Sequence, residues 1–147
     1  MLIVKIFIDT NILIYQTFED FEPEKHRMIT ERFEDLYNQA CSFFISGQII
    51  REYVAIATNS KIFKKPLNSK EILIKVSEFQ NIFDILYDTN QSIEILKQLI
   101  SRYKISGHKI HDANIAATVI ANQIDFLWTF NRKDFKQFNE INLLPLN

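Results

Sequence analysis

The sequence predicts an α/β domain with a central, mostly parallel sheet flanked by helices. Three observations carry that prediction: short apolar runs rich in β-branched residues, intervening stretches with apolar residues at helical spacing, and regular alternation of the two. Unbroken apolar runs suit strands covered on both faces, and parallel neighbours need a crossover, which the helical stretches supply. The length of 147 residues fits one domain, residues 1–147, able to bury roughly 70% of the surface its unfolded chain exposes.

Leu2 to Ile8 (LIVKIFI) is the first strand, ending on Asp9. Glu24 to Ala40 is an amphipathic helix, with Pro23 in its first turn and Met28, Phe33, Leu36, Tyr37 and Ala40 on its apolar face. Cys41 to Ser46 is a second buried strand. Ser46 caps the next helix, where Ile49, Ile50, Tyr53, Val54 and Ala57 repeat and which carries Glu52. Lys61 to Asn68, with three lysines and Pro66, reads as an exposed connection, and Ser69 caps a helix reaching about Gln80. Ile82 to Leu86 is the third strand. Asp88 and Gln91 have capping-box spacing for a helix from Asn90 to Lys104, with Ile93, Leu96, Leu99, Ile100 and Tyr103 inward, and Gly107 ends that unit. His111 to Asn122 is a further helix, and Asp125 to Phe130 a fourth strand before the polar NRKDFK.

Composition excludes several functions. Hydrophobic residues make up 47% and charged residues 24%, which rules out wholesale disorder. The net charge of −1 gives no global attraction to nucleic acid, so such a partner needs a local basic patch or metal ions. The single Cys41 fits a buried thiol in a reducing compartment. No leader-like amino terminus or membrane-length apolar run is present, and the expected location is the cytoplasm, without a membrane partner.

In open parallel sheets ligands gather beyond the carboxyl ends of the strands. That rule brings Asp9 and the segment Thr129 to Asp134 to a common edge. Taken singly, Asp9, Thr10 and Asn11 suit a helix cap, Glu52 a solvated helix face, and Asp112 the favourable end of a helix dipole. Taken together, three carboxylates near one sheet edge repel one another unless a divalent cation sits among them. His108 and His111 both follow Gly107, and for them solvated or capping roles outweigh zinc binding.

Four segments together make the chain resemble the PIN domain nucleases, in particular the VapC-type toxins of toxin–antitoxin pairs. They are FIDTNILIY (Phe7 to Tyr15), SGQIIREYV around Glu52, HDANIAA from His111, and LWTFNRKDF near the end. The resemblance covers nearly the whole chain and rests on the order and separation of the motifs. It implies a PIN-like three-layer fold and a metal-dependent endoribonuclease using Mg²⁺ or Mn²⁺. By it Asp9, Glu52 and Asp112 match the first three acidic positions, with Asp9 and Asp112 holding the ion and Glu52 orienting or deprotonating the attacking water. The usual fourth acid is replaced by Asn131, and the next carboxylate is Asp134, which weakens the case for a second ion. Asn11 and Thr129 match small polar positions that orient the first acid. Single-stranded or looped RNA is the implied substrate, with Arg132, Lys133 and Lys136 as nearby phosphate contacts and Lys61, Lys64 and Lys65 more remote. Also implied are an antitoxin whose carboxyl-terminal segment plugs the site, and a homodimer.

Two other classes fit the residues alone. One is a silent binding module for protein or RNA, in which all three acids are caps. The other is a phosphotransfer or phosphatase domain with Asp9 as nucleophile, although Asn11 stands where that chemistry often has a second Asp. Tyr15, Phe18 and Phe21 suit either base stacking or a core.

Overall fold

A computed structural model describes residues 2–146. Four parallel strands form one sheet in the order β3-β2-β1-β4: β1 (Lys5–Ile8), β2 (Ser42–Ser46), β3 (Asp84–Leu86) and β4 (Phe126–Trp128). Among the described residues seven helices connect and flank them. These are α1 (Thr10–Thr17), α2 (Pro23–Asn38), α3 (Gly47–Ala57), α4 (Ser69–Ile82), α5 (Asn90–Tyr103), α6 (Lys109–Ala121) and α7 (Arg132–Phe135). From β1 the chain crosses outward to β2 and then β3, and afterwards returns past both to β4. With right-handed crossovers, α1–α4 cover one face and α5–α6 the other. The reversal leaves a crevice at the carboxyl ends of β1 and β4.

β1 pairs with β2 at Lys5↔Ser42 and with β4 at Ile8↔Trp128. Ile6, Phe7 and Ile8 are wholly buried, as are Ile45 and Leu127. The strand is shorter than its apolar run. Leu2, Ile3 and Val4 are 96%, 58% and 40% exposed, because β2 begins only at Ser42, whose N–H makes the first ladder bond, to the Val4 carbonyl. The third strand likewise starts at Asp84 rather than Ile82, which belongs to α4, and the fourth is confined to Phe126–Trp128.

Helix ends depart from expectation for local reasons. α2 stops at Asn38, and Ala40 adopts φ 60° in a Schellman turn: Ala40 N–H donates to the Tyr37 carbonyl and Cys41 N–H to that of Leu36. Its buried stripe is Ile29, Phe33 and Leu36; Met28 and Tyr37 face solvent. Asn68 rather than Ser69 caps α4, because Glu71 lies where its side chain can answer the Asn68 N–H at 3.1 Å while its own N–H reaches Asn68 Oδ1 at 2.9 Å. Thr89 and Ser92 form the box of α5 in place of Asp88 and Gln91, so Ser92 turns inward and Ile93 outward. α6 begins at Lys109, straight after the left-handed Gly107 (φ +62°) and His108. Cys41 is half-buried and precedes β2.

Two features have no sequence signal of their own. α7 is four residues long, and residues 142–144 add a parallel bridge to β4, with Leu127 N–H donating to Asn142 O and Leu144 N–H to Leu127 O. Arg132 Nη1 fastens that segment by donating to the Leu144 carbonyl at 2.8 Å.

Candidate active site

The sheet ladder runs one residue past β1, with Asp9 N–H donating to the Trp128 carbonyl at 3.0 Å, and so delivers the Asp9 side chain to the crevice. Asp9 also caps α1. Its Oδ1 accepts from Thr10 N–H at 2.8 Å, while Oδ2 accepts from Thr129 Oγ1 at 2.7 Å and Asn11 Nδ2 at 3.0 Å. The cap expected for Asp9 is therefore present, and the same side chain lines the crevice. Three accepted bonds leave a carboxylate about one free lone-pair direction. At 4% exposure, burial pushes the Asp9 carboxyl above its ordinary pKa and the Glu52 charge adds to the rise, against the pull of the hydrogen bonds from Thr129, Thr10 and Asn11. Thr129 is held in turn, since its Oγ1 accepts from Asn11 Nδ2 and Asn131 N–H, and Asn11 Oδ1 accepts from Phe130 N–H. The turn after β4 and the start of α1 are thus laced into one unit.

Glu52 projects from α3 toward the same place. Its Oε2 accepts from Thr10 Oγ1 and its Oε1 from Gln48 Nε2, both at 2.8 Å. Gln48, one helical turn earlier and 8% exposed, also donates to the His111 carbonyl at 3.0 Å and accepts from Asn114 Nδ2 at 2.7 Å. Glu52 is thereby tied to α6. Sequence reasoning missed Thr10, Gln48 and Asn114 in this role; the one available signal was the i, i+4 spacing of Gln48 and Glu52.

Asp112 stands in the first turn of α6, and no side chain among the described residues donates to its carboxylate. Burial, then the charges of Asp134, Asp9 and Glu52, push its pKa up to about 6, with His111 opposing. Those causes place Asp134, Asp9 and Glu52 within electrostatic reach of Asp112. Among the described residues none of the four is in an ion pair. Asn131 lines a cleft of about 320 Å³ with Asp9, Asn11, Glu52 and Asp112, whereas Asp134 lines a neighbouring cleft with Asp112, Lys109, Lys133 and Lys136. Each fourth-position candidate thus keeps company with Asp112. Lys133 is exposed, while Arg132 points its guanidinium at the terminal segment and is absent from both cleft linings. His108 and His111 are solvent-exposed, as expected.

A hard divalent cation suits this donor set. The set is all oxygen, uncompensated by cations, and Asp9 and Glu52 retain unused acceptor directions. Among the described residues no three His, Cys, Asp or Glu side chains converge closely enough to enclose an ion alone. Mg²⁺ does not require that, since it keeps several waters and takes one or two carboxylates.

The chain matches the model of the PIN domain family over residues 6–141. It is 28% identical over 150 residues to Ribonuclease VapC2 of Methanocaldococcus jannaschii, spanning 97% of this chain and 94% of that protein. In fold it is similar to VapBC2 from Rickettsia felis bound to a promoter DNA fragment, with TM-score 0.71, 19% identity, and 96% and 98% of the two chains covered. DNA-bound VapBC from Salmonella typhimurium gives 0.70 at 21% identity over 99% and 100%. A toxin–antitoxin complex from Klebsiella pneumoniae gives 0.64 at 20% identity over 96% and 97%.

Proposed function

The chain belongs to the PIN domain family, and from that premise we propose that it is a cytoplasmic, Mg²⁺- or Mn²⁺-dependent endoribonuclease, the toxin of a toxin–antitoxin pair. The observation that carries the reading is the gathering of Asp9, Glu52 and Asp112 at the β1/β4 crevice, where the first is nearly buried and the pKa of the last is pushed up by burial and then by neighbouring carboxylate charge. Apolar packing gains nothing from such a gathering, and a phosphate-handling cation explains it. Asp9 and Asp112 would hold that ion, which when bound polarises a phosphoryl oxygen and acidifies water.

The chain's own groups supply the rest. Thr10 and Gln48 hold the two Glu52 oxygens, so the carboxylate keeps one orientation and accepts a water proton without first reorganising. Thr129 and Asn11 fix the Asp9 rotamer. Asn131 offers a neutral carbonyl at the cleft and Asp134 a charge farther out, an arrangement that favours one tightly held ion over two. The antitoxin partner is supported by the toxin–antitoxin complex of similar fold, and a homodimer is proposed from the family resemblance alone.

The test is cleavage of labelled RNA with Mn²⁺. Glu52→Gln should lower kcat by about 10²- to 10⁴-fold with little change in KM. Asp9→Asn should abolish both cleavage and Mn²⁺ binding measured by calorimetry. Intact cleavage in both variants, or a wild-type chain that binds no Mn²⁺, would sink the proposal.

A further inference from the structure

Two clefts of opposite character meet at Asp112, the one residue that lines both. The first, about 400 Å³, is lined by Lys109 from the start of α6 and by Lys133, Lys136 and Gln137 at α7, with Asp134 beside them. All three lysines are exposed, and among the described residues none is in an ion pair, although two carboxylates share the cleft. The second cleft holds Asp9 and Glu52, and its outer wall is apolar: Tyr15, Phe21, Ile62 and Phe63. Phe21 remains 48% exposed even though its ring is fixed by stacking on Tyr15 (6.2 Å) and by an edge contact to Phe63 (4.9 Å). Tyr15 is itself braced by Lys25 Nζ, 4.6 Å from its ring centroid. An aromatic ring that is rigid and half open is the usual platform for an unpaired base, since little order remains to be imposed on binding.

We propose that the two clefts form one asymmetric track for single-stranded RNA. Phosphates on one flank of the scissile bond lie along Lys109, Lys133 and Lys136, and a base on the other flank stacks on Phe21. The proposal rests on the nuclease reading of the acids between the clefts. Electrostatics motivates it: a chain of net charge −1 gains no general attraction to RNA, and its acidic centre repels phosphate, so local lysines must supply the attraction. Each cleft falls within the roughly 300–1,000 Å³ typical of small-ligand sites. Double-stranded RNA cannot offer a free base to Phe21, which restricts the substrate to single strands and loops. Sequence preference belongs to the aromatic flank alone.

Binding is measured by fluorescence anisotropy in the Glu52→Gln background without added metal, using labelled oligouridylate and oligoadenylate of about twelve nucleotides, near the upper range of single-strand sites. Replacing Lys133 and Lys136 together by Ala should flatten the plot of log Kd against log salt by about 1.4, that is about 0.7 per lost phosphate contact, equally for both oligonucleotides. Phe21→Ala should leave that slope alone, weaken binding about tenfold, and change the ratio of the two affinities, while Phe21→Trp restores binding and so excludes a folding defect. An unchanged slope in the lysine variant overturns the track. So does a Phe21→Ala protein with unaltered affinity, which would assign the aromatic cleft to a protein segment. Cleavage by the unsubstituted chain with Mn²⁺ is assayed in parallel. RNA that is cut while the slope ignores the lysines sinks the track and spares the nuclease; RNA held by lysines and Phe21 but never cut supports the track and sinks the nuclease.

Discussion

Asp112 lies half-buried in the first turn of α6, faced by Asp134, Asp9 and Glu52, with His111 and the lysines of the basic cleft as the nearest positive groups. Its folded pKa of about 6 lies above the ordinary 3.8. A carboxyl raised in this way contributes stability that is fully present below 3.8 and is lost as pH climbs through about 6. Thermal unfolding in EDTA should therefore show a midpoint that falls across that window. Asp112→Asn should flatten the fall and raise the midpoint near neutrality, and Mn²⁺ should stabilise the unsubstituted chain more at neutral than at acidic pH. Gln48 makes the complementary case, because its amide holds Glu52 and α6 together without being a catalytic group. Gln48→Leu should lower kcat about 10- to 100-fold at nearly constant KM, and steady-state kinetics on one RNA checks both numbers. The three acids were legible in the sequence because each interrupts or begins an apolar pattern. Gln48, Thr10 and Asn114 were not, since a polar residue on a helix disturbs no periodicity. Arg132 looked like a phosphate contact because nothing local announces that residues 142–144 return to β4 and take its guanidinium.

At the scale of elements, the identities of the four strands and of α2–α6 followed from periodicity, whereas their ends did not, and the scarcity of glycine explains much of the difference. α2, α5 and α6 each finish on a left-handed residue that is not glycine: Ala40 (φ 60°), Lys104 (φ 54°) and Gln123 (φ 54°). The backbone bonds of the turn are complete, as where Gln123 N–H meets Ile120 O and Ile124 N–H meets Val119 O. The conformation still costs an L-residue about 1 kcal/mol or more. Lys104→Gly and Gln123→Gly should each raise stability by about 1 kcal/mol, read from urea midpoints with unchanged slope, and leave cleavage untouched. α7 escaped notice for another reason: four residues are too few to display a helical period. Its position still matters, because it carries Lys133 and Asp134 to the rim of the basic cleft.

For the whole molecule, strand order decides what the elements alone leave open. The alternation of strands and helices specified a parallel sheet, yet many orders satisfy alternation. The observed order, β3-β2-β1-β4, puts the end of β1 beside the end of β4 and thereby seats Asp9 against Thr129. The same order leaves β3 outermost on its side, pairing with β2 alone through Asp84–Leu86. Asp84 is exposed there, in the otherwise apolar sequence Ile82-Phe83-Asp84-Ile85-Leu86. Its charge acts as a gatekeeper. An open strand edge can template another chain, and one carboxylate on so short a strand makes that pairing unfavourable. Asp84→Val would join five apolar residues into an amyloid-prone segment, so light scattering on mild heating should report fibrillar assembly well below the unfolding midpoint. On the proposed reading the acids of the crevice serve chemistry, whereas Asp84 blunts an open sheet edge.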